Sequence, residues 1–136
     1  MKLDAAPLQN FEFAGFRLDS AARRVTRLDG TPVKLNSRAF DTLVVLLARP
    51  AQTLTKRFLL RQVWPDVVVG DNNLNQAVAA IRKALGDDAE PRCIIRTIPG
   101  RGFCCVADVL VTERRSAYLS LETAPREKIV TVADYL

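Results

Sequence analysis

Three carboxamide side chains, Asn72, Asn75 and Gln76, stand close together in the chain and are followed by the cations Arg82 and Lys83. A carboxamide holds a donor and an acceptor side by side, so it can bond in bidentate fashion to an edge presenting the complementary pair, as adenine does with its exocyclic amine and N7. Guanidinium and ammonium groups suit phosphate oxygens instead, and supply affinity more than sequence choice. A second pair of cations, Arg96 and Arg101, brackets Pro99-Gly100. Such types suit hydrogen-bonded recognition of a polyanion, and equally an ordinary solvated surface.

Covalent chemistry has little to work with. The chain contains no histidine, which removes the commonest general base and the commonest metal ligand together. Its three cysteines, Cys93, Cys104 and Cys105, lack C-x-x-C spacing, and an odd number argues against a disulfide framework. They read as reduced and structural. Adjacent residues of a strand point to opposite faces, so at least one of Cys104 and Cys105 belongs to the core. With no glycine-rich phosphate loop before a helix and no paired carboxylates at a plausible spacing, neither catalysis, metal nor cofactor is expected.

The carboxamides need a rigid element beneath them. Leu74, Val78, Ile81 and Leu85 recur at intervals of four, three and four, a narrow apolar stripe on a helix that begins at Asp71 or Asn72 and stops at Gly86. Asn72, Gln76, Ala79 and Lys83 project opposite that stripe, with Asn75 and Arg82 on one flank and Ala80 on the other. By periodicity alone this is a solvated helix face. Two earlier helices are predicted. One is capped by Asn36 or Ser37, carries Phe40, Leu43, Val44 and Leu47, and ends at Pro50; the other runs from Thr55 to Trp64, with Leu59, Leu60 and Val63 buried and Pro65 as its stop.

Alternating runs at Phe11–Phe13, Phe16–Leu18, Val25–Leu28 and Pro32–Leu35, with Asp29-Gly30 as a hairpin turn, predict a small antiparallel sheet ahead of the helices. After them, Cys93–Ile98 and Phe103–Val106 form a second hairpin, in which Pro99-Gly100 suits a type II turn. The expected fold is α+β: an N-terminal antiparallel sheet, a three-helix core and a C-terminal β-hairpin wing. Residues 1–10 form an arm, 11–109 the domain and 110–136 a tail. Apolar runs at Tyr118–Leu121 and Ile129–Val132 leave that tail open as linker, extra strands, dimerisation element or the start of a further domain.

The 136 residues, 49% apolar and 26% charged, suit one soluble domain, and 20 Lys and Arg against 15 Asp and Glu leave a net charge of +5 that favours polyanions without naming one. The longest apolar run, Leu43–Ala48, is too short to span a bilayer, and Met1–Asn10 lacks the apolar core of a signal peptide. A cytoplasmic location is expected.

"VWPD" at 63–66, "DNNLNQAVAAIRKALGDD" at 71–88 and "IIRTIPGRGF" at 94–103, with the strand run before them, resemble the OmpR/PhoB-type winged helix-turn-helix domain of bacterial regulators, especially the ToxR- and CadC-like variant. The resemblance implies sequence-specific binding of double-stranded DNA for transcription regulation. The recognition helix, 72–85, would enter the major groove, with Asn72, Asn75, Gln76 and Ala79 near bases and Arg82 and Lys83 on phosphates. The wing, 93–106, would reach the minor groove or backbone through Arg96, Thr97 and Arg101. It further implies that the loop Pro65, Asp66, Val67, Val68 and Val69 touches RNA polymerase, and that two copies act as a homodimer or in tandem on repeated half-sites. With ten residues before the first strand, no receiver domain is expected on this chain.

Four positions depart from the family pattern. Ala79 and Ala80 replace frequent arginines, leaving either fewer contacts or apolar contact with thymine methyls. Phe58 stands where a charge is usual, either exposed or covered by the N-terminal sheet or the tail. Cys104 replaces a common basic residue in the wing. Trp64 reads first as core. The rival reading is a winged helix used as a protein-protein interaction module, with Val67–Val69 and Phe58 as its surface.

Overall fold

The computed structural model describes residues 9–113. Alternating burial lays Phe11, Phe13, Phe16, Leu18 and Val25 on the inner face of a meander made of β1 (Gln9–Phe13), β2 (Phe16–Asp19), β3 (Arg24–Arg27) and β4 (Pro32–Val33). The strand β1 thus starts two residues inside the expected arm. Ala14 and Gly15, both at positive φ, make a tight turn between β1 and β2, whose twist matches the strands it joins. Asp29-Gly30 turns the chain as expected: Gly30 sits at φ 96°, and Asp29 Oδ1 accepts the Thr31 amide at 2.9 Å. That bond holds the exposed Asp29 carboxyl below its ordinary range.

In helix α1 (Ser37–Leu47) the cap is Asn36, whose Oδ1 accepts the Ala39 amide at 2.9 Å. Phe40, Leu43 and Leu47 are buried with Ala39 and Leu46, whereas Val44 is only half-buried. A short strand that the sequence pattern did not signal, β5 (Thr53–Thr55), follows. Its last residue also caps helix α2 (Lys56–Val63), Thr55 Oγ1 accepting the Phe58 amide at 3.0 Å. Helix α3 (Asp71–Leu85) buries the whole predicted stripe, Leu74, Val78, Ile81 and Leu85, together with Ala77. Gly86 ends it in the left-handed region, φ 74°, and the Asp87 amide closes back on the Arg82 carbonyl at 2.7 Å.

The hairpin that follows is shorter than expected: β6 (Ile95–Ile98) and β7 (Gly102–Cys105). Cys93 and Ile94 precede the strand instead of opening it. Pro99-Gly100 forms the turn, with Gly100 at φ 74° and the Arg101 amide donating to the Ile98 carbonyl at 2.9 Å, the geometry a type II turn requires. β7 is the centre of a three-stranded sheet, β5-β7-β6. The last described strand, β8 (Val109–Glu113), returns to pair antiparallel with β1 along its length, so the first sheet has five strands, β4-β3-β2-β1-β8. The fold therefore continues past position 109. The expected runs at 118–121 and 129–132, like residues 1–8, lie outside the described residues.

One continuous apolar cluster joins these parts, from Phe11 and Val111 in the first sheet through Leu43 and Leu59 to Ile81, Ile95 and Phe103 beside the wing. It fixes α3 and the wing on a common base.

Candidate nucleic-acid interface

The outer face of α3 is open. Asn72, Asn75, Gln76, Ala79 and Lys83 are exposed, and no other described part of the chain covers them. Asp71 in the first turn and Arg82 and Lys83 in the last complement the helix dipole. Asp71 also approaches Lys56, Nζ to Oδ2 at 3.8 Å, linking the starts of α2 and α3.

Arg82 is placed differently from its neighbour Lys83. It is half-buried, and its fork turns toward the wing: Nε and Nη2 donate to the Ile95 carbonyl at 3.3 and 3.0 Å, and Nη2 also donates to Thr97 Oγ1 at 2.8 Å. The Phe103 ring lies beneath, 5.8 Å from the guanidinium carbon. Burial first, and then the Arg92 charge, push the Arg82 pKa down from its ordinary value. Two residues expected to reach DNA separately, Arg82 and Thr97, are thus bonded to each other.

Strand alternation puts Ile95 and Thr97 on the face of β6 turned to α3, and Arg96 on the opposite face, across from Cys104. Arg101 is exposed in the turn. Beside that turn, Thr53, Thr55, Lys56, Arg57, Gly100 and Arg101 line an open cleft of about 560 Å³. Lys56 and Arg57 were not singled out from sequence. Their signal, two adjacent cations just after the Thr55 cap, becomes informative only when β5 brings Thr53 and Thr55 beside the wing.

Asp87 is a further residue that was not singled out from sequence. Its carboxylate is buried. Oδ1 accepts the Cys93 amide at 2.6 Å, and Oδ2 accepts the amides of Ile94 at 3.1 Å and Ile95 at 2.9 Å. Charge-assisted bonds of this kind offset the cost of burying a carboxylate. They tie the amides of Cys93 and Ile94, just ahead of β6, to the aspartate.

In the loop between α2 and α3, Pro65, Asp66 and Val67 are exposed, Val68 is fully so, and Val69 is half-buried. Trp64 is core, with the Arg38 guanidinium 5.6 Å from its ring centroid. Phe58 is half-buried and packed against the core cluster, with the Arg49 guanidinium 5.1 Å from its ring centroid. Cys104 and Cys105 are both buried and Cys93 is exposed. Burial pushes the Cys105 thiol up to about 11 and raises Cys104 as well. Among the described residues no helix is long and apolar enough to cross a membrane.

A three-helix core whose third helix is bare outward, with an antiparallel hairpin bonded to that helix, defines the winged helix-turn-helix class. The family described as "Transcriptional regulatory protein, C terminal" matches residues 30–105. The DNA-binding response regulator MtrA of Mycobacterium tuberculosis is 33% identical over 101 residues, covering 74% of this chain and 44% of that protein. Among solved structures, the Klebsiella pneumoniae RstA DNA-binding domain in complex with RstA box aligns with a TM-score of 0.63 at 26% identity, over 71% of this chain and 96% of that one. The DNA-binding domain of Escherichia coli CadC shares the fold, with a TM-score of 0.66 at 24% identity over 76% of this chain and 97% of that one.

This chain belongs to the OmpR/PhoB-type family of transcriptional regulatory C-terminal domains, winged-helix domains of sequence-specific DNA-binding transcription regulators and not a class of enzymes. It spans less than half the length of the curated relatives it matches.

Proposed function

We propose that this chain regulates transcription by placing α3 in the major groove of double-stranded DNA and its wing on the adjacent minor groove or backbone. The observation that carries this reading is the open face of α3, carboxamides first and a cation after, anchored from beneath by four buried aliphatic residues. Asn72, Asn75 and Gln76 read base edges, and Ala79 lies close enough to the groove floor to meet a thymine methyl. Lys83, Arg96 and Arg101 neutralise phosphates or enter the minor groove, and Lys56 and Arg57 extend the cationic track past the wing turn. An arginine at a hairpin tip suits a narrow minor groove, where the potential is most negative.

Contact of Pro65–Val69 with RNA polymerase belongs to the same reading and is supported by the full exposure of Val68. Two copies on repeated half-sites would supply the effective concentration that a single small domain lacks.

The test is a titration of the chain against mixed-sequence duplex and against a duplex selected from random sequence, across a range of salt. The logarithm of the binding constant should fall linearly with the logarithm of salt, by about 0.9 for each phosphate neutralised. Absence of binding to mixed-sequence duplex even at low salt would overturn the proposal. The exposed Val67 and Val68 would then favour the protein-contact reading.

A further inference from the structure

We propose that Arg82 is a positioning residue that sets the wing at a fixed angle to α3, and not a phosphate ligand. This deepens the DNA-binding reading and rests on it.

The geometry is a closed ring of backbone and side-chain bonds. The Arg82 carbonyl accepts the Asp87 amide at 2.7 Å, the Asp87 carboxylate accepts the Ile95 amide at 2.9 Å, and the Ile95 carbonyl accepts Arg82 Nη2 at 3.0 Å. Ile95, the first residue of β6, is thereby gripped at both its N–H and its C=O by residues at the end of α3. Thr97 and the Phe103 ring extend the grip along both strands of the wing. A phosphate seeking Nε or Nη2 would have to draw them from partners already in place, which leaves the Nη1 edge as the part of the fork open to one.

Only a planar fork fits this arrangement. Guanidinium donors leave in fixed directions, so two can address one carbonyl while one of them also meets a neighbouring hydroxyl; an ammonium cannot reproduce that geometry. The mechanical consequence is leverage. A strand of four residues is about 13 Å long, so a tilt of roughly 10° at its base moves the tip by ~2 Å, enough to break a hydrogen bond between Arg101 and DNA. The bracket at Ile95 keeps the wing tip in register with the carboxamides on α3.

The discriminating variant is Arg82→Lys, which keeps the charge and removes the fork. In the free chain, hydrogen exchange should accelerate at amides of β6 and β7 while α1 stays protected. With the duplex that the unaltered chain selects from random sequence, affinity should fall about tenfold, the scale of a lost charge-assisted bond. Base preference beneath Gln76 should be retained. The loss should shrink severalfold in an Arg101→Ala background, because a mispositioned tip matters most while its arginine is there.

A phosphate ligand predicts the opposite. Arg82→Lys would then bind like the unaltered chain, and Arg82→Ala would lower affinity and reduce the salt slope by about one unit whether or not Arg101 is present. Either that pattern or unchanged exchange in the wing would overturn the proposal. If Arg82→Lys does not fold, Thr97→Val removes only the hydroxyl and should weaken binding in the same Arg101-dependent way; equal loss in both backgrounds counts against the bracket. Should the unaltered chain select no duplex at all, the DNA-binding reading fails on its own, and exchange at the wing amides still decides the role of Arg82.

Discussion

Gly102 and Leu54 approach so closely that a methyl group on Gly102 would fall 1.9 Å from the Leu54 carbonyl oxygen. The contact is backbone against backbone, where β5 runs beside β7, so no side-chain rotation relieves it. Gly102→Ala should therefore separate the two strands and destabilise the chain by about 1–3 kcal/mol or more, read from the midpoint of urea unfolding. An unchanged midpoint would show that β5 is not held against the wing.

Asp87 should matter far more than its neighbour. Asp87→Asn leaves one acceptor oxygen for the amides of Cys93, Ile94 and Ile95 and turns an N–H group toward them. Each buried amide left without a partner costs about 1–3 kcal/mol, whereas Asp88→Asn, at an exposed position, should stay within about 0.5 kcal/mol. Comparable losses for the two variants in chemical denaturation would remove the anchoring role.

On DNA, Gln76→Ala or Asn75→Ala should cost about 1–3 kcal/mol on the best duplex and relax base preference at one position. Lys83→Ala should weaken every sequence nearly equally and flatten the salt dependence by about one unit. Competition binding against a panel of single-base variants separates the two patterns. A uniform loss for Gln76→Ala would take it away from the base edges.

The cysteines should divide by burial. A thiol reagent at neutral pH should label Cys93 rapidly, and Cys104 and Cys105 only as the chain unfolds. Burial raises the Cys105 thiol from its ordinary 9.0 to about 11, so the folded state holds its proton where the unfolded state releases it. Stability from this source is complete below about pH 9 and is lost as pH rises toward 11. Unfolding followed over that range should show the decline, and Cys105→Ala should make it shallower; identical slopes would exclude this thiol as the cause.

Much of this was legible residue by residue. The period of Leu74, Val78, Ile81 and Leu85 placed α3 and its outer face; Thr55 at the start of α2 and the turns at Asp29-Gly30 and Pro99-Gly100 were visible because caps and tight turns depend on a few adjacent residues. Between Asn36 and Ser37, the Asn36 bond to the Ala39 amide decided the cap of α1. The contact of Arg49 with the Phe58 ring was not legible, because it forms only once the turn after α1 packs against α2.

Local order along the chain therefore determined the helices, the hairpins and the face that α3 turns outward, since side-chain periodicity and backbone preference act over a few residues. Tertiary structure alone decided that β8 joins β1, that β5 joins the wing, that Asp87 is buried among three amides and that Arg82 belongs to Ile95 and Thr97. Those partners lie outside any short window. Strand pairing and buried hydrogen bonds are set by which groups the collapsed core leaves facing one another, and that is a property of the whole packed chain.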